Sequence, residues 1–253
     1  GTSTVAAKAT RVRARIVAQT INEQMQASDK VFIMGHDNED YDAIGSAIGM
    51  AKLSLSLNKE TYIVLSGRND NVNRISEMLA RESIKVNDHE EDYNSIMVEE
   101  AEALKHITPN SLLVLVDHHR EILTASKSVL EAIPKRIIVD HHRRSEDLLA
   151  DTVLLYLEPS SSSTSELLTE LVGYFNDRLE FTPVEATALY SGIVLDTKNF
   201  AVQTGERTFE AAALLRRNGA DSNMVRLMFK DDMDVLKLRA RLLADAKVLE
   251  NGI

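Results

Sequence analysis

Six short runs rich in Val, Ile and Leu recur along this chain, and stretches of helical period separate them. Val31–Met34, Thr61–Leu65, Leu112–Val116, Arg136–Val139, Val153–Leu157 and Leu189–Leu195 are short and largely continuous in apolar character. Strands of that kind belong to parallel sheets covered on both faces. The last run also reads as helix, because Val184–Tyr190 carries a helical pattern. Between the runs, helical patterns cover Ala43–Leu55, Asn73–Arg81, Val98–Lys105, Glu121–Ala132, Ser165–Phe175 and Thr208–Arg217. The expected fold is α/β and doubly wound, a mostly parallel sheet with helices on both faces.

Two further segments flank this pattern. The first 22 residues hold no Asp or Glu and carry Arg11, Arg13 and Arg15, a composition shared with transit peptides. Val12, Ile16, Ile21 and Met25 fall close to one helical face, so a helix over residues 1–28 is the preferred reading. From Ser222 a long charged helix runs toward Asn251-Gly252, with Leu236, Leu238, Leu242 and Leu243 facing either a partner or the domain body. The expected division is an N-terminal linker helix at 1–28, a central domain at 29–221 and a second linker helix at 222–253.

Composition narrows the chemistry. Cysteine is absent, which removes disulfides, thiolate metal sites and cysteine nucleophiles together. A net charge of −10 disfavours a sequence-blind grip on duplex nucleic acid. No apolar run approaches the ~20 residues that cross a bilayer.

The acids and histidines lie where the strands end. Five of the seven histidines directly follow an apolar run, each beside an Asp. Val31–Met34 leads to His36, Asp40 and Asp42; Leu112–Val116 leads to Asp117-His118-His119. Arg136–Val139 leads to Asp140-His141-His142, and Leu189–Leu195 leads to Asp196. In an open parallel sheet the carboxyl ends of the strands share one rim, where ligands bind. Each piece alone has a structural reading, as a helix cap, a strand-end turn or a buried histidine pair. Together they bring five carboxylates and several imidazoles to one place, and such a cluster needs cations. Nitrogen and oxygen ligands without sulfur suit Mn²⁺, Mg²⁺, Fe²⁺, Co²⁺ or Zn²⁺. The set is too large for one ion, and two ions sharing a carboxylate would use it as a two-metal phosphoesterase does.

The ordered motifs Gly35-His36, Asp40-x-Asp42-Ala43-Ile44-Gly45, Asp117, Asp140-His141-His142-Arg143-Arg144 and Asp196 resemble the DHH phosphoesterase family. Glu158-Pro159, Ser162–Leu167, Gly192–Phe200 and Thr204–Ala212 are similar to its membrane-anchored cyclic-di-AMP phosphodiesterase branch. The resemblance implies a first ion on His36, Asp40 and Asp117, and a second on Asp42, Asp117, His141 and Asp196, with Asp117 bridging. It implies two Mn²⁺ ions, with Mg²⁺ or Co²⁺ as substitutes. Asp140 is expected behind His141, orienting it, and His142 at the scissile phosphate or leaving oxygen.

Arg143 and Arg144 are candidate phosphate grips. Ser162 is a further substrate candidate, while Ser163-x-x-Glu166 reads as a capping box. Asp-His-His-Arg occurs twice, and the resemblance assigns the family triplet to the copy at Asp140. His118 and His119 are therefore expected behind the ligands or at the surface. Asp37 and Glu39 depart from the family pattern and are expected to add negative charge near the ions.

The implied activity is hydrolysis of a cyclic dinucleotide, cyclic-di-AMP opening to pApA; the alternatives are an oligoribonuclease or exonuclease on short oligonucleotide strands, a pyrophosphatase, or a metal-binding fragment of low activity. The resemblance also implies a cytoplasmic domain of a membrane-tethered parent and leaves a homodimer open. Its usual glycine-rich second lobe has no counterpart here, since no Gly-Gly occurs among ten glycines.

Overall fold

The computed structural model describes residues 2–86, 89–149 and 151–250, with side chains described for 8–85, 89–149 and 151–244. The expected close of the last helix at Asn251-Gly252 lies outside them. The elements run α1 (Thr2–Gln26), β1 (Lys30–Met34), α2 (Tyr41–Ser56), β2 (Glu60–Leu65), α3 (Asp70–Leu79), β3 (Ile84–Val86), β4 (His89–Glu91), β5 (Met97–Glu99) and α4 (Glu100–His106). They continue with β6 (Leu112–Val116), α5 (Lys127–Ala132), β7 (Arg136–Asp140), β8 (Leu154–Leu157), α6 (Thr164–Phe175), α7 (Pro183–Asp196), α8 (Glu206–Arg217) and α9 (Ser222–Glu250).

Six strands form one sheet in the order β5-β2-β1-β6-β7-β8, and every neighbouring pair is parallel. Alternation along each strand sends side chains to both faces. Phe32, Met34, Leu113, Leu115 and Ile138 pack with Ala103 of α4 and with Val129 and Leu130 of α5. Helices α1, α2 and α6 also contact the strands, at β8, β1 and β7 respectively. The doubly wound expectation holds.

Three expected elements differ. Leu189–Leu195 belongs to α7, which packs against α2 instead of joining the sheet. Ala186, Ala188, Leu189, Ile193 and Val194 are buried on several faces, so α7 lacks the one-sided period that marks a helix. Its start is nevertheless written in the sequence: Pro183 occupies the first turn, and Thr182 and Glu185 form a capping box. The expected helix at Val98–Lys105 begins as β5, and Glu121–Ala132 divides into a single 3₁₀ turn at Glu121–Leu123 and then α5. In α1, Ile21 and Met25 are buried as expected, whereas Val12 and Ile16 are exposed; Ala14, Val17 and Ala18 complete the inner face.

The chain divides into two compact units, one through Ala220 and one from Asp221 onward. Helix α1 lies in the first, against α6 and β8. The second contains α9, on which Leu236, Leu238, Leu242 and Leu243 are exposed. No helix among the described residues is long and apolar enough to cross a membrane.

Candidate metal centre

The sheet order places β1 and β6 side by side, with later strands added outward in opposite directions. That reversal opens a crevice at the strand carboxyl ends. His36 lies just beyond β1, Asp117 immediately after β6, Asp140 at the last position of β7 and His141 next to it. Asp196 reaches the same crevice from the end of α7, so its expected place in space holds although the element before it is a helix.

His36 donates from Nδ1 to the Asp37 carbonyl at 2.9 Å, leaving Nε2 toward the crevice. That Nε2 lies 3.4 Å from both Asp40 Oδ1 and Asp117 Oδ2. Asp40 also caps α2, its Oδ1 accepting from Ala43 N at 2.9 Å. Helix cap and candidate ligand are thus the same carboxylate.

The second group gathers around His141. Its Nε2 lies 3.0 Å from Asp196 Oδ2, 3.5 Å from Asp117 Oδ1 and 3.8 Å from Asp42 Oδ2. Asp117 therefore faces each imidazole with a different oxygen, Oδ2 toward His36 and Oδ1 toward His141. Its backbone adopts φ +63°, a left-handed conformation costly for a residue with a Cβ, and its N–H donates to Val139 O at 3.1 Å. This turn places a carboxylate that is 3 % exposed between the two imidazoles.

Asp42 is fixed from behind. Its oxygens accept from the backbone N–H groups of Thr164 and Ser165 at 2.9 and 2.8 Å, so the start of α6 holds its charge. Thr164 Oγ1 donates to Asp117 Oδ1 at 3.1 Å. The sequence reading missed Thr164 and Ser165, although a Ser/Thr run opening a helix signals exposed N–H groups. Gly192 permits the close approach of α7: a Cβ there would sit 2.2 Å from Ser165 Oγ and 2.9 Å from Asp42 Oδ1.

The donor set fits divalent cations. His141 Nε2 is buried with no hydrogen-bond partner among the described residues although three carboxylate oxygens surround it, because none sits in hydrogen-bonding geometry. Ligand atoms about 2.1 Å from one ion sit roughly 3–3.5 Å from each other, which matches the His36 distances and those from His141 to Asp196 and Asp117, with Asp42 slightly farther at 3.8 Å. Electrostatics agree. Burial would lower the pKa of His36, but Asp117, Asp40 and the Asp37 carbonyl outweigh it and hold it at about 11. His141 is likewise lowered by burial and raised more by Asp196 and Asp42, to about 9. Burial and repulsion from Asp42 push Asp117 well above the usual carboxylate range. Asp196 rises to about 6 through burial and Asp42, against the pull of His141.

Residues 30–193 match the DHH family, N-terminal domain. The chain belongs to the DHH family. It is 39% identical over 246 residues to the cyclic-di-AMP phosphodiesterase PdeA of Listeria monocytogenes, covering 97% of this chain and 36% of that protein. It is 38% identical to the cyclic-di-AMP phosphodiesterase GdpP of Bacillus subtilis, with the same coverage. The chain thus spans about a third of the length of these curated relatives. An exopolyphosphatase-related protein from Bacteroides fragilis shares the fold, with TM-score 0.66 and 21% identity, covering 83% of this chain and 59% of that one.

Around this DHH-family cluster, the structure redistributes several expected roles. Both Asp-His-His copies serve one cluster, the first bringing Asp117 and the second His141. Asp140 does not orient His141. Its Oδ1 takes His142 Nδ1 at 2.7 Å and its Oδ2 takes His119 Nδ1 at 2.6 Å. Burial alone would raise its pKa, but His142 and His119 hold it at about 2. His119 is buried, and its Nε2 meets Ser145 Oγ at 2.8 Å. His118 is buried too; its Nδ1 donates to Val116 O at 3.1 Å, and burial pushes its pKa down to about 4.

His142 is half exposed at the cleft wall. Arg143 lines the cleft; Arg144 is exposed but does not line it. Ser162 is buried and its hydroxyl donates to Glu166 Oε2 at 2.5 Å, which removes it as a substrate donor. Ser163 caps α6, but Glu166 reaches Ser162 N instead of closing a capping box. Glu39 does not load the ion site with charge: its carboxylate turns to Ser66, leaving exposed Asp37 as the departure that lines the cleft.

Proposed function

We propose that this chain hydrolyses the 3′–5′ phosphodiester of a cyclic dinucleotide, taking cyclic-di-AMP to pApA, with two Mn²⁺ ions held by its two ligand groups. One observation carries the reading: Asp117 Oδ2 lies 3.4 Å from His36 Nε2 while Oδ1 lies 3.5 Å from His141 Nε2. One carboxylate so placed can serve two neighbouring ions. Identity to the two cyclic-di-AMP phosphodiesterases across nearly the whole chain supports the substrate class.

His36, Asp40 and Asp117 would hold one ion, and Asp42, Asp117, His141 and Asp196 the other. Bound there, such ions supply Lewis acidity to a phosphoryl group and acidify water. The protein's own residues do the remaining work. Asp140 fixes the His142 ring through Nδ1, leaving Nε2 to pass a proton to the departing ribose oxygen. Arg143, at the cleft wall, grips a non-bridging phosphate oxygen. The start of α6 keeps Asp42 in place as charge shifts during the reaction. We place this activity in the cytoplasm, in a domain of a longer, membrane-tethered protein.

Turnover of cyclic-di-AMP, pApA and pyrophosphate, each with and without Mn²⁺, tests the reading. Cyclic-di-AMP should be the preferred substrate, only with the ion, and Asp117→Asn should abolish its turnover and reduce Mn²⁺ stoichiometry by calorimetry. Preference for pyrophosphate, or full stoichiometry in Asp117→Asn, would overturn it.

A further inference from the structure

The cleft lined by His36, Asp40, Asp117 and Asp196 has a second, chemically different wall. It encloses about 630 Å³, a volume suited to a nucleotide-sized ligand. Opposite chemistry comes from the 3₁₀ turn Glu121–Leu123, whose Ile122 and Leu123 line the cleft and are 77 % and 41 % exposed. Single exposed apolar residues are ordinary on a protein surface. These two are adjacent, and neither is used to fill the core.

The backbone that presents them is stitched on both sides. Asp37 N donates to Leu123 O at 2.6 Å and Ala125 N to Gly35 O at 3.2 Å, which joins the turn to the loop carrying His36. Leu149 N donates to His119 O at 3.1 Å, and Arg120 Nε pairs with Asp147 Oδ2 at 2.7 Å, which joins it to the segment after β7. The apolar pair is therefore held in fixed register with the metal-ligating loop. An inorganic phosphate or pyrophosphate has no surface that would use it. A nucleobase has an apolar face, joined through ribose to the phosphate that the ligand groups and Arg143 would hold.

We propose that Ile122 and Leu123 form a shelf that takes the face of one nucleobase, making this turn a determinant of nucleotide over inorganic substrates. The proposal rests on the nucleotide-diester reading above and names where one base is held. The shelf acts on binding, since neither side chain carries a group that could take part in proton or phosphoryl transfer.

The test replaces both residues, Ile122→Ser with Leu123→Ser, in the full chain loaded with Mn²⁺. Both side chains are substantially exposed, so the fold should survive, and unchanged calorimetric Mn²⁺ stoichiometry would show that the ligand groups are intact. The KM for cyclic-di-AMP should rise on the order of tenfold, with kcat within about twofold and the KM for pyrophosphate unchanged. An unchanged KM for cyclic-di-AMP, or an equal rise for both substrates, overturns the shelf. Should the wild-type chain hydrolyse no dinucleotide, the functional reading fails on its own. The shelf is then judged by AMP binding, measured by calorimetry: a tenfold weaker Kd in the double variant supports it, and equal affinity overturns it.

Discussion

Glu39 closes its carboxylate on Ser66, accepting the backbone N–H with one oxygen at 2.6 Å and the hydroxyl with the other at 2.7 Å. This contact ties the loop carrying His36 and Asp40 to the end of β2. Asn69 Nδ2 strengthens the tie by donating to Glu39 O at 2.9 Å. Hydrogen bonds to a buried charged group contribute about 1.5–3 kcal/mol each. Glu39→Ala loses two such bonds and should lower stability by about 3–6 kcal/mol in urea unfolding, and Glu39→Gln by less. Mn²⁺ titration should show one weakened site, since the His141 group does not depend on this loop. Equal weakening of both sites would refute the local role.

The strand ends were legible because continuous apolar runs at β1, β6 and β7 give way directly to His and Asp. Asp196 was found for the right spatial reason from the wrong element. A helix buried on several sides and a buried strand present the same run of apolar letters. Strand β5 escaped because it is three residues long and flows straight into α4. The contact between His119 and Asp140 was illegible for a different reason. It joins the ends of neighbouring strands 21 positions apart, and no local period reports such a pairing.

Asp140 holds two imidazoles with its two oxygens, so Asp140→Asn replaces one acceptor by an NH₂ group. Either His142 or His119 then loses its partner. The expected result is a 10–100-fold drop in kcat, the scale seen when a carboxylate behind a metal-bound imidazole is lost. Mn²⁺ stoichiometry should remain that of the wild type, because the side-chain hydrogen bonds of Asp140 go to His142 and His119 and to none of the proposed ligands. A normal kcat would show that the orientation of His142 is not used.

The ion-free protein should lose stability as pH rises. His36 and His141 have folded-state pKa values of about 11 and 9, above the unfolded value of about 6.5. Their stabilisation is complete below pH 6.5 and disappears as pH climbs through those folded values. Asp196, raised to about 6, acts in the same direction at lower pH. With Mn²⁺ the trend should reverse, since binding must displace the ring protons and becomes tighter as pH rises. Thermal melts at pH 6.5 and 9, with EDTA and with Mn²⁺, read both slopes. Parallel slopes in the two conditions would contradict proton displacement by the ions.

Gly192 sets how closely α7 can approach Asp42. An added Cβ would meet Ser165 Oγ at 2.2 Å, Asp42 Oδ1 at 2.9 Å and the Asp42 Cα at 3.0 Å. Ser165 can rotate, but the backbone of Asp42 is held by α2 and its carboxylate by the start of α6. Gly192→Ala therefore has to push α7 outward, and Asp196 at its end moves with it. Overpacking of this kind costs about 1–3 kcal/mol. The consequence for function should be selective: the ion that Asp42, His141 and Asp196 would hold weakens while the His36 group retains its affinity. Calorimetric titration of Gly192→Ala with Mn²⁺ should show one strong and one weakened site. Two wild-type sites in a destabilised protein would show instead that the strain is absorbed away from the ligands, by rotation of Ser165 and repacking along α7.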